Sequence, residues 1–196
     1  MIVLKRFLPP VIGVSFALSG CISLGPEPPD SLLTLTPGSI APAGTGAAGD
    51  AANAIAVMEF EAPARIDVTR VPVQMDDSRV AYLTDATWVE KPTRLFSRLL
   101  AETIRARSNR VVIDGDDPGV APTTQLQGVL REFGYDARTS SIVVIVDAIR
   151  TGEGSEVTTR RFESRIPDVV PEGVPAGDAL NRAANDVAVQ IADWVG

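Results

Sequence analysis

The reactive side chains of this sequence point to one covalent modification and to little other chemistry. The 196 residues include a single cysteine, Cys21, and no histidine. Without histidine the chain lacks the commonest general base and the commonest metal ligand, and one cysteine cannot form a disulfide within the chain. Triads and dyads that need histidine are excluded, and we expect neither an enzyme nor a bound metal or cofactor. A hydrolase that uses carboxylates alone stays open as an alternative.

Acidic residues gather in two short stretches that could supply such carboxylates. Residues 76–78 read Asp-Asp-Ser, and residues 114–117 read Asp-Gly-Asp-Asp. The second stretch is cut by Pro118, and no Glu stands at the distance that a calcium loop requires. Asp and Ser are also favoured in turns, where their side chains bond the nearby backbone. Both stretches are therefore interpreted as turns.

Cys21 stands at the end of an N-terminal targeting pattern. Lys5 and Arg6 precede an apolar run over residues 7–18, which is short of the roughly 20 residues that a membrane-spanning helix needs. This is the layout of a secretory signal peptide. Residues 18–21, Leu-Ser-Gly-Cys, resemble the bacterial lipobox, in which the cysteine thiol is joined to a diacylglycerol and cleavage leaves that cysteine first in the chain. The alternative is a buried cysteine near the end of an ordinary signal peptide.

Acylation at Cys21 would decide where the rest of the chain lies. Two or three acyl chains, palmitate among them, hold a protein stably on a leaflet, whereas one chain binds weakly and reversibly. In lipoproteins of this type an Asp after the cysteine often means retention in the inner membrane. Ile22 stands there instead, which favours the periplasmic face of the outer membrane. Residues 22–30 are rich in Pro and would extend about 28 Å as a tether.

The composition limits the classes of partner and indicates which residue types form the core. The net charge is −7 and no Lys/Arg cluster is present, so we expect no nucleic-acid partner, because binding phosphates needs a basic patch. Hydrophobic residues make up 45% of the chain and aromatic residues 5%. The core must therefore consist mostly of Val, Leu, Ile and Ala.

The chain divides into three segments. Residues 1–20 form the predicted signal peptide, and residues 21–53 form the acylated N-terminus, a flexible tether and a short strand at 31–37. Residues 38–53 are mostly Gly, Ala and Pro and offer little surface to bury. Residues 54–196 are predicted to fold as one α+β domain.

We expect a mostly antiparallel sheet of five to seven strands with two main helices packed on it. A strand begins at Ala54, and a hairpin surrounds the turn at 76–78. Short turns then predict an antiparallel meander of three long strands, at 123–137, 141–150 and 155–167. The last of these is expected at or near a sheet edge, which would permit self-association.

Two stretches have the periodicity of amphipathic helices. Pro92 suits a first helical turn, and Arg98 with Glu102 would form a surface ion pair one turn apart. Apolar residues recur at helical spacing in both stretches: Leu95, Phe96, Leu99, Leu100 and Ile104 in the first, and Leu180, Ala184, Val187, Ala188, Ile191 and Val195 in the second.

The order of these features resembles a known family. The chain resembles the ABC-type transport auxiliary lipoprotein family, which includes the PqiC-type lipoproteins. The resemblance rests on the order of its features: a lipobox, a Pro-rich tether, a hairpin with Tyr82, the junction of Trp88, Glu90 and Pro92 before a helix, a meander and a final Ala-rich helix. The long Gly/Ala insert at 38–53 departs from that pattern. The chain also has no Gly-x-x-x-x-Gly-Lys-Ser/Thr phosphate loop, so it would have no ATPase of its own.

The resemblance implies a docking role at the outer membrane. In MCE-type systems an inner-membrane ABC transporter and a periplasmic MCE-domain protein move lipids or other hydrophobic molecules across the envelope, and the lipoprotein is their auxiliary component. Trp88, Glu90 and Pro92 would shape the docking surface or fix the strand-to-helix junction, and we favour the junction. A tethered scaffold or regulator that activates a cell-wall enzyme remains the alternative function, since it needs the same anchor.

Overall fold

In the part of the chain that the structure describes, seven strands form one mixed sheet, and two helices cover one of its faces. The computed structural model describes residues 31–114, 122–152, 154 and 156–196. The elements are β1 (Ala54–Val57), β2 (Arg70–Gln74), β3 (Val80–Thr87), α1 (Pro92–Arg107), β4 (Val111–Asp114), β5 (Thr124–Asp136), β6 (Ser141–Thr151), β7 (Val157–Ile166) and α2 (Gly173–Val195). The predictions for Cys21, for the tether at 22–30 and for Asp116 and Asp117 lie outside the described residues.

The long strand β5 organises the sheet. Its first half pairs with β1, so that Thr124 lies opposite Ile55, and its second half pairs with β2, so that Tyr135 lies opposite Val73. Beyond these neighbours lie β4, next to β1, and β3, next to β2. On the other side β5 pairs with β6, and β6 pairs with β7. Two short strands therefore lie along one side of β5 and the meander lies on the other.

The expectation of a mostly antiparallel sheet is wrong. The pairs β1–β4, β1–β5 and β2–β5 are parallel, and the pairs β2–β3, β5–β6 and β6–β7 are antiparallel. A short turn returns the chain antiparallel, whereas a parallel neighbour needs a long crossover connection. The chain between β1 and β4 includes two strands and α1, and it supplies such a crossover. The two helices and the seven strands confirm the α+β class.

The covered face of the sheet holds the core. On β6 the buried positions that face the helices are alternate residues, Ile142, Val144, Val146 and Ala148. The predicted stripe of α1, from Leu95 to Ile104, is buried throughout, and so is the predicted stripe of α2. Many of the buried residues of α2 are alanines, and small side chains let a helix approach its neighbours closely.

A β-bulge in β5 changes which residues face the helices. Leu130 lies opposite Val146, but Glu132 lies opposite Ile145, so that Arg131 is the extra residue. Before the bulge the even-numbered residues of β5 face the core, and after it the odd-numbered residues Phe133 and Tyr135 do. A bulge of this kind moves every later side chain to the other face.

The segment before β1 lies against the helices. The short strand predicted at 31–37 is a single parallel bridge between Leu33 and Trp88. The backbone N–H groups of Thr36 and Gly38 donate to the side-chain oxygens of Asn181 and Asn185 at 2.8 and 2.6 Å. These contacts connect the start of the described chain to α2.

Candidate functional site

The uncovered face of the sheet carries a set of cross-strand ion pairs centred on Asp147 of β6. Arg161 of β7 donates to both carboxylate oxygens at 2.6 and 2.8 Å, and Arg131 at the β5 bulge donates at 2.7 Å. The hydrogen bond from Arg161, with that from Arg131, lowers the pKa of Asp147 from 3.8 to about 2. Asp147 is therefore ionised at any physiological pH and links side chains of three strands through ion pairs.

A groove of about 520 Å³ lies beside this centre. Arg65 donates to both oxygens of Glu132 at 2.9 and 2.7 Å. The floor of the groove includes Val143 and Ile145, which lie between the charged residues. The groove therefore offers a partner both apolar surface and ionised groups.

Two further arginines, Arg138 and Arg165, line the groove. Arg138 donates to Asp136 from Nε and Nη2 at 3.0 Å each and to Asp77 at 2.6 Å. The hydrogen bonds from Arg138 lower the pKa of Asp136. Arg165 of β7 lies 4.0 Å from the same carboxylate. In these pairs the arginines and carboxylates balance, so the groove does not favour a ligand of one charge sign.

Among the described strands β7 pairs with β6 alone, so its outer edge has no strand partner in that part of the chain. The N–H of Gly152 donates to the carbonyl of Glu156, and the register of β6 with β7 continues from that pair. In an antiparallel ladder the bonded pairs alternate, so the even-numbered residues of β7 bond to β6 and the odd-numbered ones point outward. The side chain of Gln190 reaches the outward carbonyl of Glu163 at 3.2 Å, which agrees with this assignment. Thr159 and Arg161 thus direct their N–H groups away from the sheet.

The junction before α1 is largely buried. Trp88 is 2% exposed, and its ring centroid lies 5.8 Å from that of Phe133. Its indole N–H has no hydrogen-bond partner among the described residues. Pro92 is the buried first residue of α1. Glu90 accepts a hydrogen bond from Arg98 and lies 3.9 Å from Arg94. These contacts support a role for the three residues in fixing where α1 begins.

The expected ion pair between Arg98 and Glu102 is not formed. Arg98 turns toward the N-terminus of α1 and pairs with Glu90, while Glu102 pairs with Arg105 and accepts the backbone N–H of Ala41 at 2.8 Å. The sequence spacing could not show that residues outside the helix compete for both side chains.

The acidic turn at 76–78 has the structure of a hairpin turn. One oxygen of Asp76 accepts the backbone N–H groups of Ser78 and Arg79 at 3.0 and 2.9 Å, and these bonds lower the pKa of Asp76. Asp114 ends β4, at the border of the part that the structure describes. Within that part no cluster of three or more acidic residues is arranged to hold a metal ion.

Neither described helix is long and apolar enough to cross a membrane.

The sequence patterns do not single out the Asp147 centre or the groove. β6 carries only two charged residues, Asp147 and Arg150, so no charge pattern in its sequence indicated that side chains of three strands would meet at Asp147.

Comparisons with known proteins agree with this architecture. A family model described as "ABC-type transport auxiliary lipoprotein component" matches residues 34–192. A solved DUF330 protein from Xanthomonas campestris is 14% identical with a TM-score of 0.70, over 84% of this chain and 94% of that one. An uncharacterized protein of known structure is 10% identical with a TM-score of 0.65, over 85% and 100%. No curated protein matches the sequence. At these identities the likeness shows the fold alone.

Proposed function

Because the chain belongs to the ABC-type transport auxiliary lipoprotein family, whose members are transport components and not enzymes, we propose that it is the docking component of an MCE-type ABC transport system. The proposed anchor is an acylated Cys21 on the periplasmic face of the outer membrane. The observation that carries the proposal is the family match, which spans residues 34–192 and so includes nearly all of the described fold. In such a system the chain contributes protein contacts, while the transporter hydrolyses ATP.

The proposed docking surface is the free edge of β7 together with the uncovered sheet face. β7 runs for ten residues without a proline or an irregularity in register, and of its outward groups the carbonyl of Glu163 already accepts a hydrogen bond from Gln190. An extended segment of the MCE-domain protein can add to such an edge through backbone hydrogen bonds, and neighbouring side chains then supply specificity. Arg161 and Arg165 project beside the edge and lie among carboxylates. A partner strand with alternating charges would pair with both.

The covered face supports this assignment by exclusion. Its side chains are buried against α1 and α2, and a partner could reach them only by displacing a helix. The uncovered face needs no such rearrangement, since Arg131, Arg161 and Arg165 are already exposed.

The test is affinity purification of the full-length lipoprotein from crosslinked envelopes, beside the variant Cys21→Ser. We expect the wild type to recover an MCE-domain protein with its ABC subunits, and the variant to leave the membrane fraction and to recover several-fold less. Separation of the two membranes on a density gradient places the anchor. Recovery of a cell-wall synthase without MCE proteins would replace this proposal by the regulator.

A further inference from the structure

Exposed apolar side chains gather where the described chain begins and where α2 begins. Leu32 is 51% exposed, Val170 is 51% exposed and Val174 is 68% exposed. Val170 and Val174 line a shallow depression with Pro167 and Pro175. Together these five residues are called the apolar end.

Contacts of neighbouring residues connect the two parts of the apolar end. A Cβ on Gly177 of α2 would lie 2.5 Å from a methyl group of Leu33, so Leu33 packs directly on the helix at that glycine. Val174 lies three residues before Gly177, which places it one turn away on the same side of the helix. Leu32 precedes Leu33, which places both parts of the apolar end beside the first turns of α2.

The position of the chain start indicates what this region meets. Nine residues, 22–30, separate Cys21 from Ser31, and they reach about 28 Å when extended. Leu32 therefore lies within one tether length of the proposed lipid anchor. The far end of α2, 23 residues on, is about 34 Å further along the helix axis.

The charges near the apolar end favour a membrane surface without net negative charge. Asp168, Glu172 and Asp178 are exposed there, and Arg182 is the nearby cation that lines the same depression. An acidic border is repelled by anionic headgroups. A leaflet rich in zwitterionic phosphatidylethanolamine does not oppose its approach in this way.

We propose that the apolar end rests on the zwitterionic leaflet that holds the acyl chains, with the first turn of α2 against the lipid. This inference depends on the proposed acylation of Cys21. The tether keeps the patch at a high local concentration near the surface, so a few apolar side chains suffice to orient a domain that they could not anchor alone. The start of β7, next to the far end of α2, then faces away from the membrane toward a partner.

The experiment compares lipid contact at two exposed valines, one in the apolar end and one at the opposite end of α2. Full-length acylated protein is prepared as Val174→Cys and, as matched control, as Val157→Cys; Val157 is 59% exposed and begins β7. Arg150 lies opposite Thr158 and its guanidinium lies 5.3 Å from the Trp194 ring, so Val157 is at the other end of α2. Acylation blocks the Cys21 thiol, and each variant therefore takes one fluorescent label.

Labelled protein is placed on phosphatidylethanolamine–phosphatidylcholine vesicles that carry a lipid-bound quencher. We expect the label at Val174 to be quenched at least threefold more than the label at Val157, and phosphatidylglycerol to reduce the difference. A second label at Val170, as Val170→Cys, should behave like the label at Val174.

Equal quenching at both ends on protein that stays bound to the vesicles would overturn the orientation and leave the anchor in place. Protein that fails to bind the vesicles would overturn the proposed anchor and the orientation with it. A label at Val174 that is shielded only after an MCE-domain protein is added would show that this surface binds protein, and the membrane contact would be rejected.

Discussion

The two faces of the sheet use alternate residues of the same strands and are built by different forces. On β6, Val144 and Val146 are fully buried against the helices, whereas Ile145 and Asp147, between and beside them, line the uncovered face. Apolar burial is proportional to area and has no direction, while ion pairs require register and geometry. The comparison shows that the covered face supplies the buried core, whereas the uncovered face is held by ion pairs between exposed side chains.

The largest expected effect is on the covered face. Phe96 of α1 is fully buried and packs edge-on against Phe60, with ring centroids 5.5 Å apart. Phe96→Ala should reduce the free energy of unfolding by about 3–5 kcal/mol, because a large cavity replaces the ring. Urea denaturation of the chain without its signal peptide measures this. A loss below about 1.5 kcal/mol would mean that the two faces do not differ as described.

A matched pair on one strand sharpens the comparison. Ile142 faces the helices and is fully buried, and Ile145 faces the groove and is half-buried. Ile142→Ala should reduce the free energy of unfolding by about 3 kcal/mol and Ile145→Ala by about 1 kcal/mol. The second loss is smaller because folding removes less apolar area of Ile145 from contact with water. The same denaturation curves give both values. Equal losses would show that the uncovered face is also core.

The Asp147 centre predicts a pH-dependent contribution from the uncovered face. Because the folded pKa is about 2 and the ordinary value is 3.8, the stabilisation is full above about pH 4 and is lost as the pH falls toward 2. Asp147→Asn should cost about 1 kcal/mol at pH 7, since the paired arginines are exposed and solvent screens them.

Urea curves at pH 7, 4 and 2 test this dependence. The difference between wild type and Asp147→Asn should shrink to near zero at pH 2. Asp193→Asn, at the exposed pair with Arg107, is the control and should cost little at any pH. A constant cost of Asp147→Asn at all three values would mean that packing, not charge, holds this site.

The smallest expected effect is at the junction before α1. Glu90→Gln removes the charge that pairs with Arg98 and Arg94, and it should cost only a few tenths of a kcal/mol, as exposed ion pairs do. If the junction only fixes the helix start, recovery of the MCE-domain protein should stay at the wild-type level. A several-fold loss of recovery in a stable Glu90→Gln protein would place Glu90 in the docking surface.

Local signals were enough to predict the elements whose partners are close in sequence. The hairpin around residues 76–78 and the β5–β7 meander have short turns, and Pro92 with the stripe from Leu95 to Ile104 predicts α1. The parallel pairing of β1 with β4 could not be predicted in the same way, because more than fifty residues separate Ala54 from its partner Val111 and no turn determines the direction.

The candidate site was harder to predict than the fold. Asp147 meets Arg131 and Arg161 only because three strands pair in one register, and that register includes a bulge. The edge position of β7 was expected because both sides of this strand are partly polar. Which of its N–H groups point outward depends on which residues of β7 bond to β6, and this cannot be read from the sequence.

The edge of β7 also provides the most direct test of the account. Thr159→Pro removes an outward N–H without removing a bond to β6, since proline is tolerated where the N–H faces solvent. Thr159→Ala keeps that N–H and is the matched control. The measurement is recovery of the MCE-domain protein from crosslinked envelopes by the full-length lipoprotein and each variant. We expect Thr159→Pro to lose recovery at least fivefold while remaining folded and membrane-bound, and Thr159→Ala to keep it. Equal recovery by both variants would contradict docking through this edge.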